Sequence, residues 1–187
     1  MNFQSEVYSL QFKQRQKQSE IEYDLSKNYL TLIGAFYLKD KNKNQLENIL
    51  ININNNYEDL ICSKLISTTL SNENSEYFEF QALFKKDITD YVKLLYLLVE
   101  LYNKLDKLYI GLGSGDISTE IKEKALGMDG TAFYNAREAL QNSFESEIKI
   151  NLFSNKKIVD QNLSLILSLL VEFTSKWTNQ QKKAIKY

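Results

Sequence analysis

The chain has no histidine and no proline, and only one cysteine and two arginines among its 187 residues. Without histidine there is no imidazole general base, no Ser-His or Cys-His nucleophile and no His-ligated zinc. Any metal would be a hard cation held by carboxylates. Cys62 cannot pair within the chain, and its place in the apolar-alternating stretch Ile61–Leu70 predicts a buried, inert thiol in a reducing compartment. The formal net charge is −1, so no global positive field drives the protein onto a phosphate backbone. The N-terminus, MNFQSEVYSLQFKQRQKQSE, lacks the apolar run and the cleavage site of a signal peptide. The most apolar windows, Val92–Leu101 and Leu163–Phe173, fall short of the roughly 20 residues that cross a bilayer. The expectation is a cytoplasmic protein with no membrane partner and no nucleic-acid partner of its own.

At this length one domain, with or without an arm, buries a sufficient core without disulfides. Residues 1–28 are polar and glutamine-rich, and their Lys13/Arg15/Lys17 cluster reads as a solvated face. Tyr29–Leu38 is a short apolar run around Gly34, long enough for a central strand. In Asn44–Leu60, Leu46, Ile49, Leu50, Ile53 and Tyr57 recur at helical spacing. Ile61–Leu70 and Tyr77–Phe84 alternate with period two, with Phe78, Phe80, Ala82 and Phe84 on one face and Glu79 and Gln81 on the other. The connector SNENSE makes the pair a hairpin.

Asp87 is placed to cap a helix running to Leu105, whose residues Ile88, Tyr91, Val92, Leu95, Leu98, Val99 and Tyr102 predict deep packing. A strand over Lys107–Gly115, a helix over Thr131–Phe144 and a strand over Glu147–Phe153, with Ile148, Ile150 and Leu152 inward, follow. Residues 156–187 read as one long helix whose stripe of Ile158, Val159, Leu163, Ile166, Leu167, Leu170, Phe173 and Trp177 covers a sheet face or pairs with its copy in a dimer. The order βαββαβ then αβ, with no linker, predicts an α+β fold. Its core is a ferredoxin-like palm (residues 29–155), an antiparallel sheet with helices on one face, preceded by the arm and followed by the C-terminal helix.

Five of the six glycines fall between Gly111 and Gly130. Gly111, Gly113 and Gly115 strip the side chains from one face of a strand end, which admits a ligand or another backbone. Asp129 and Gly130 precede a helix whose first-turn amides and dipole suit a phosphate, and Tyr134, Asn135 and Arg137 lie on that helix. Two readings stay open. In one, this segment binds a nucleotide or another phosphorylated molecule, with Asp116 and Glu120 contributing from the turn. In the other, the glycines are fold punctuation, Asp129 and Thr131 cap the helix, and Arg137 is solvated or pairs with a carboxylate on another element.

The segment GLGSGDISTEIKEKALGMDGTAFYNAREAL resembles the most recognisable motif of the SatD family. There, alternating glycines end a strand, a G-[DE]-I-x-T-E-I turn follows, and the chain enters a GxDGxAFxxAREA helix. The order of TLIGAFYL, the hairpin around EFQALF and the long C-terminal helix extends the similarity over Tyr29 to about Trp177. The layout is also similar to the palm of class III nucleotide cyclases and GGDEF domains, although Asn135 and Arg137 stand two apart where the cyclase pattern sets Asn and Arg four apart.

The resemblance implies two acidic metal-binding positions, one on the first strand and one on the hairpin. Here the first reads Ile33-Gly34-Ala35 and the second Tyr77-Phe78-Glu79-Phe80-Gln81, so both aspartates are replaced. The chain also stops at Tyr187, before the winged helix-turn-helix that SatD-like proteins commonly carry. The resemblance therefore implies a non-catalytic regulatory or interaction domain with no cofactor. Its rivals are a Mg²⁺-dependent cyclase or phosphotransferase using Glu79 with Asp116 or Asp129, and a structural partner-binding protein with no small ligand.

Overall fold

The computed structural model describes residues 28–37, 43–68, 77–85, 91–105, 107–146, 148–154, 156–178 and 180–181. The N-terminal basic cluster, the SNENSE connector, Asp87 and the last six residues lie outside the described residues. The elements run β1 (Tyr29–Tyr37), α1 (Lys43–Asn56), β2 (Ile61–Thr68), β3 (Tyr77–Phe84), α2 (Tyr91–Lys104), β4 (Tyr109–Gly115), α3 (Thr131–Ser146), β5 (Ile150–Phe153) and α4 (Lys157–Ser175).

The five strands form one sheet in the order β2-β3-β1-β4-β5. β1 lies antiparallel between β3 and β4, and β2 antiparallel beside β3. That is the strand order of a ferredoxin-like βαββαβ unit, as the element order predicts. β5 joins the far edge parallel to β4, so the sheet is mixed rather than wholly antiparallel. The physical reason is α3: a crossover of this length returns the chain in the direction of the strand it left.

The period-two alternation sorts the side chains onto two faces. Leu32 and Phe36 of β1, Phe80, Ala82 and Phe84 of β3, and Ile110 and Leu112 of β4 share the larger core with α1 and α2. Leu46, Leu50, Ile53 and Tyr57 form the buried stripe of the α1 segment, with Ile49 partly buried beside it. In α2 the buried line is Leu94, Leu97, Leu98 and Leu101, while Tyr91 and Val92 stand exposed. This corrects the expected stripe at Tyr91 and Val92, whereas Leu95, Val99 and Tyr102 pack half-buried on the core and Ile88 lies outside the described residues. The opposite face carries Ile33, Ala35 and Leu83 under Phe133, Ala136 and Leu140 of α3. Helices thus cover both faces, not one. Cys62 is half-buried beside this second cluster.

The C-terminal helix does not cover the sheet with its apolar stripe, the first of the two placements expected for it. Asp160 and Ser164 are 4 % and 2 % exposed, whereas Ile158 and Phe173 are 76 % and 63 % exposed. The reason lies in β5, an edge strand whose outer amides need acceptors. Ile150 N–H donates to Ser168 Oγ (3.0 Å), Leu152 N–H to Ser164 Oγ (2.8 Å), and Ser154 N–H to Asp160 Oδ2 (2.8 Å). Four residues of helix rise about 6 Å and two residues of strand about 6.6 Å. Polar residues four apart on α4 therefore stay in step with alternate amides of β5 running the other way. The apolar stripe is left facing outward. By length and composition α4 also reaches what a membrane span requires, although its Asp160, Ser164 and Ser168 are engaged by β5.

Candidate functional site

α3 lies across β4 at a distance only glycine permits. A Cβ on Gly111 would sit closer than 3.0 Å to the Ala136 carbonyl oxygen and the Leu140 amide nitrogen. One on Gly113 would meet the Ala136 amide and the Ala132 carbonyl in the same way. The other backbone that the alternating glycines admit is therefore the chain's own helix. Its facing positions, Ala132, Ala136 and Ala139, are small and buried. Side chains fix the crossing: Asn135 Nδ2 donates to the Ser114 carbonyl (2.7 Å), and Ser143 Oγ to the Ile110 carbonyl (3.1 Å).

Between β4 and α3, the loop over residues 116–130 is closed at its base. Asp116 N–H donates to Thr131 Oγ1 (2.8 Å), Ala132 N–H to the Asp116 carbonyl (3.2 Å), and Ser118 N–H to the Asp129 carbonyl (2.9 Å). Asp129 N–H donates to Thr119 Oγ1 at 3.1 Å. The Asp129 carboxylate accepts from Gly130 N–H (2.8 Å) and from Tyr134 OH (2.9 Å). That hydrogen bond, with the carboxylate's charge, raises the Tyr134 phenol above its ordinary pKa. Gly130 stands at φ 146° against the Asp116 carbonyl, a conformation and an approach that no side chain accommodates.

The loop then crosses the sheet to β2. Ser63 Oγ donates to the Lys122 carbonyl (2.6 Å), Lys64 N–H to the Glu123 carbonyl (2.8 Å), and Ala125 N–H to the Lys64 carbonyl (3.2 Å). Gln81 Nε2 donates to the Ala125 carbonyl. A Lys64–Glu123 ion pair at 2.8 Å holds the outer side and lowers the Glu123 carboxyl below its usual range. Ala125 and Met128 are buried, Met128 against Ile33, Ala35 and Leu83. The palm face beyond β4 is covered by the chain itself.

Beneath this cover lies Ala35, the position on the first strand where the family resemblance places an acidic metal ligand. Ala35 is paired across the strands with Glu79, and both are buried. Glu79 Oε2 accepts a hydrogen bond from Arg137 Nη1 at 2.6 Å. The carboxylate is 11 % exposed and the guanidinium side chain 51 %. Phe78 points to the other face, stacked on Phe36 with ring centroids 6.1 Å apart. Two-metal chemistry needs clustered carboxylates. Here Glu79 is held by an arginine opposite an alanine, and among the described residues no three Asp, Glu, His or Cys side chains come together. The donor set does not fit a Mg²⁺ pair.

The structure thus brings Gly111, Gly113, Gly115 and Asn135 into the β4–α3 contact, and Asp129, Gly130 and Tyr134 into the base of the loop. Asp116 and Glu120 are exposed on the loop, and Arg137 stands apart over Glu79. The α3 amides of Ala132, Phe133 and Tyr134 already donate to the Asp116 and Gly130 carbonyls. Neither Asp129 nor Thr131 caps them with a side chain as the sequence suggests. Sequence reasoning missed Ser63, Lys64, Gln81 and Glu123, which anchor the loop. Only the outward position of Gln81 beside Glu79 hinted at a role.

No curated protein matches the chain. Among solved structures, a bacterial light-regulated adenylyl cyclase is similar at 13 % sequence identity and a TM-score of 0.33. The similarity covers 81 % of this chain and 56 % of that one, so the chain spans little more than half the length of the cyclase. The SatD family model matches residues 29–187, which take in every strand and helix described above, and the chain belongs to the SatD family.

Proposed function

We propose that this SatD domain is a non-catalytic regulatory or interaction module. The observation that carries the reading is the Ala35–Glu79 pair with Arg137 seated on the carboxylate: the palm retains its shape and lacks the donors for metal-assisted phosphoryl transfer. The chain's own loop and helix cover the adjacent surface, which further supports action through exposed surfaces rather than at an enclosed catalytic centre.

A second reading, binding of a nucleotide or other phosphorylated molecule over the 111–137 segment, is favoured by one feature. Half of the Arg137 side chain is exposed, and a guanidinium is suited to bidentate contact with phosphate.

A thermal-shift panel of mono-, di- and triphosphate and cyclic nucleotides, with and without Mg²⁺ or Mn²⁺, separates the readings. A ligand at about 100 times its dissociation constant raises the melting temperature of a chain this long by about 5–10 °C. The interaction-module reading expects no shift and no metal-dependent turnover. A metal-independent shift lost in Arg137→Ala selects the ligand reading. Metal-dependent consumption of a nucleotide overturns both.

A further inference from the structure

The outward face of α4 is apolar except at Asn162. Val159, Leu163, Ile166, Leu170 and Phe173 are exposed, and Ile158, Leu165 and Leu169 widen the stripe. These eight side chains expose on the order of 700 Å². That exceeds the roughly 300–600 Å² of the largest apolar patch on a typical monomer and approaches the roughly 800 Å² each partner gives a standard interface. The helix cannot turn this face inward without breaking the Asp160, Ser164 and Ser168 bonds that satisfy β5.

The spacing identifies the kind of surface that fits. Val159, Leu163, Ile166, Leu170 and Phe173 follow one another along α4 at intervals of 4, 3, 4 and 3, the heptad pattern of a helix packed on a helix. Set against itself in the antiparallel sense, the row is self-complementary. Ile166 meets the partner's Leu170 and Leu163 the partner's Phe173, so side chains of matched or complementary size face each other and the pairing closes by a two-fold axis. A helix lying on a membrane surface carries lysine and arginine along its polar flank. Here Gln161 and Glu172 border the apolar face and Asn162 lies within it, with lysines near the two ends of the helix.

We infer that α4 is the homodimer interface of this protein, its Val159–Phe173 face packing antiparallel on the same face of a second copy. The inference rests on α4 alone. A failure here leaves the palm reading intact, and nucleotide turnover would leave the dimer intact.

The test is sedimentation equilibrium of the full chain alongside two single variants, with circular dichroism verifying that each folds. The unmodified chain is expected to be a dimer at micromolar concentration. Ile166→Glu, a change at a half-exposed position, is expected to weaken the dimer at least about tenfold by placing a carboxylate in the contact. Ile51→Glu, exposed on α1 at the opposite end of the sheet, is expected to leave it unchanged. Phe173→Glu replaces Ile166→Glu if that variant does not fold. A monomeric unmodified chain at about 100 μM overturns the inference, as does an undiminished dimer in the α4 variant or a monomer produced equally by Ile51→Glu. Co-sedimentation of a monomeric chain with phosphatidylglycerol vesicles also overturns it, in favour of a membrane surface.

Discussion

α3 and α4 are both amphipathic helices packed at the β4–β5 side of the sheet, yet they dock by opposite faces. α3 buries Ala132, Phe133, Ala136, Ala139 and Leu140, and comes so close to β4 that glycines must lie beneath it. α4 buries Asp160 and Ser164 and turns its larger apolar residues outward. The difference comes from what each helix meets. α3 lies over β4, which is paired on both sides, so strand amides are already satisfied and dispersion contact is what remains to be gained. α4 lies along an edge, where unpaired amides demand acceptors.

The contrast breaks most severely at Gly113. A methyl group there would press on the Ala132 carbonyl and the Ala136 amide, and neither backbone atom has a rotamer into which to retreat. Gly113→Ala is expected to destabilise the domain by at least about 3 kcal/mol, read from the denaturant midpoint. A loss below about 1 kcal/mol would mean that α3 can lift off β4. It would also reopen the space above the glycines to a ligand.

On the α4 side the corresponding change is Asp160→Ala. It leaves the amides of Ser154 and Lys156 and the Ser154 hydroxyl without their shared acceptor. The expected loss is about 2–3 kcal/mol. Ser164→Ala, which strips one acceptor from Leu152, should cost about half as much. If Asp160→Ala is neutral, the inward Leu167 and Val171 fix the orientation of the helix, not its bonds to β5.

These two helices also mark where the sequence is legible. Tyr77–Phe84 reads correctly because alternation of Phe78, Phe80, Ala82 and Phe84 has one structural solution once a hydrophobic face must be buried. The α1 stripe reads correctly for the same reason. The α4 stripe is legible as an apolar face, but its placement on the sheet or on a second copy stays open, because periodicity reports that a face is apolar, not that it is turned toward the same chain. The serines at 164 and 168 look like ordinary helix surface until β5 is placed beside them. The glycine segment is legible as a place of close approach, but its partner is not, since GxGxG is equally compatible with a phosphate and with a helix. The acidic positions are legible only through the family resemblance. The Arg137–Glu79 pair joins residues 58 apart in sequence, beyond any local pattern.

The smallest expected effect concerns the loop that joins the two faces of this comparison, because its polar ties are exposed. Glu123 is shifted below its ordinary 4.5 chiefly by the hydrogen bond from Lys64. The folded loop therefore binds fewer protons than the open one just below pH 4.5, and this tie is lost as pH falls through the folded value. Tyr134 is shifted above 10.0 chiefly by its hydrogen bond to Asp129. The folded loop keeps that proton longer, so this second tie is lost as pH rises beyond the folded value. The expectation is a change in the backbone amide resonance of Ala125 in acid, abolished by Glu123→Gln. A separate change at Gly130 in alkali is expected to be abolished by Tyr134→Phe. Both should occur with little movement of the melting temperature, since screened surface pairs contribute little to global stability. If one titration moves both amides together, the loop opens as a single unit. Its anchoring on β2 and its closure at α3 would then be one cooperative structure rather than two independent ties.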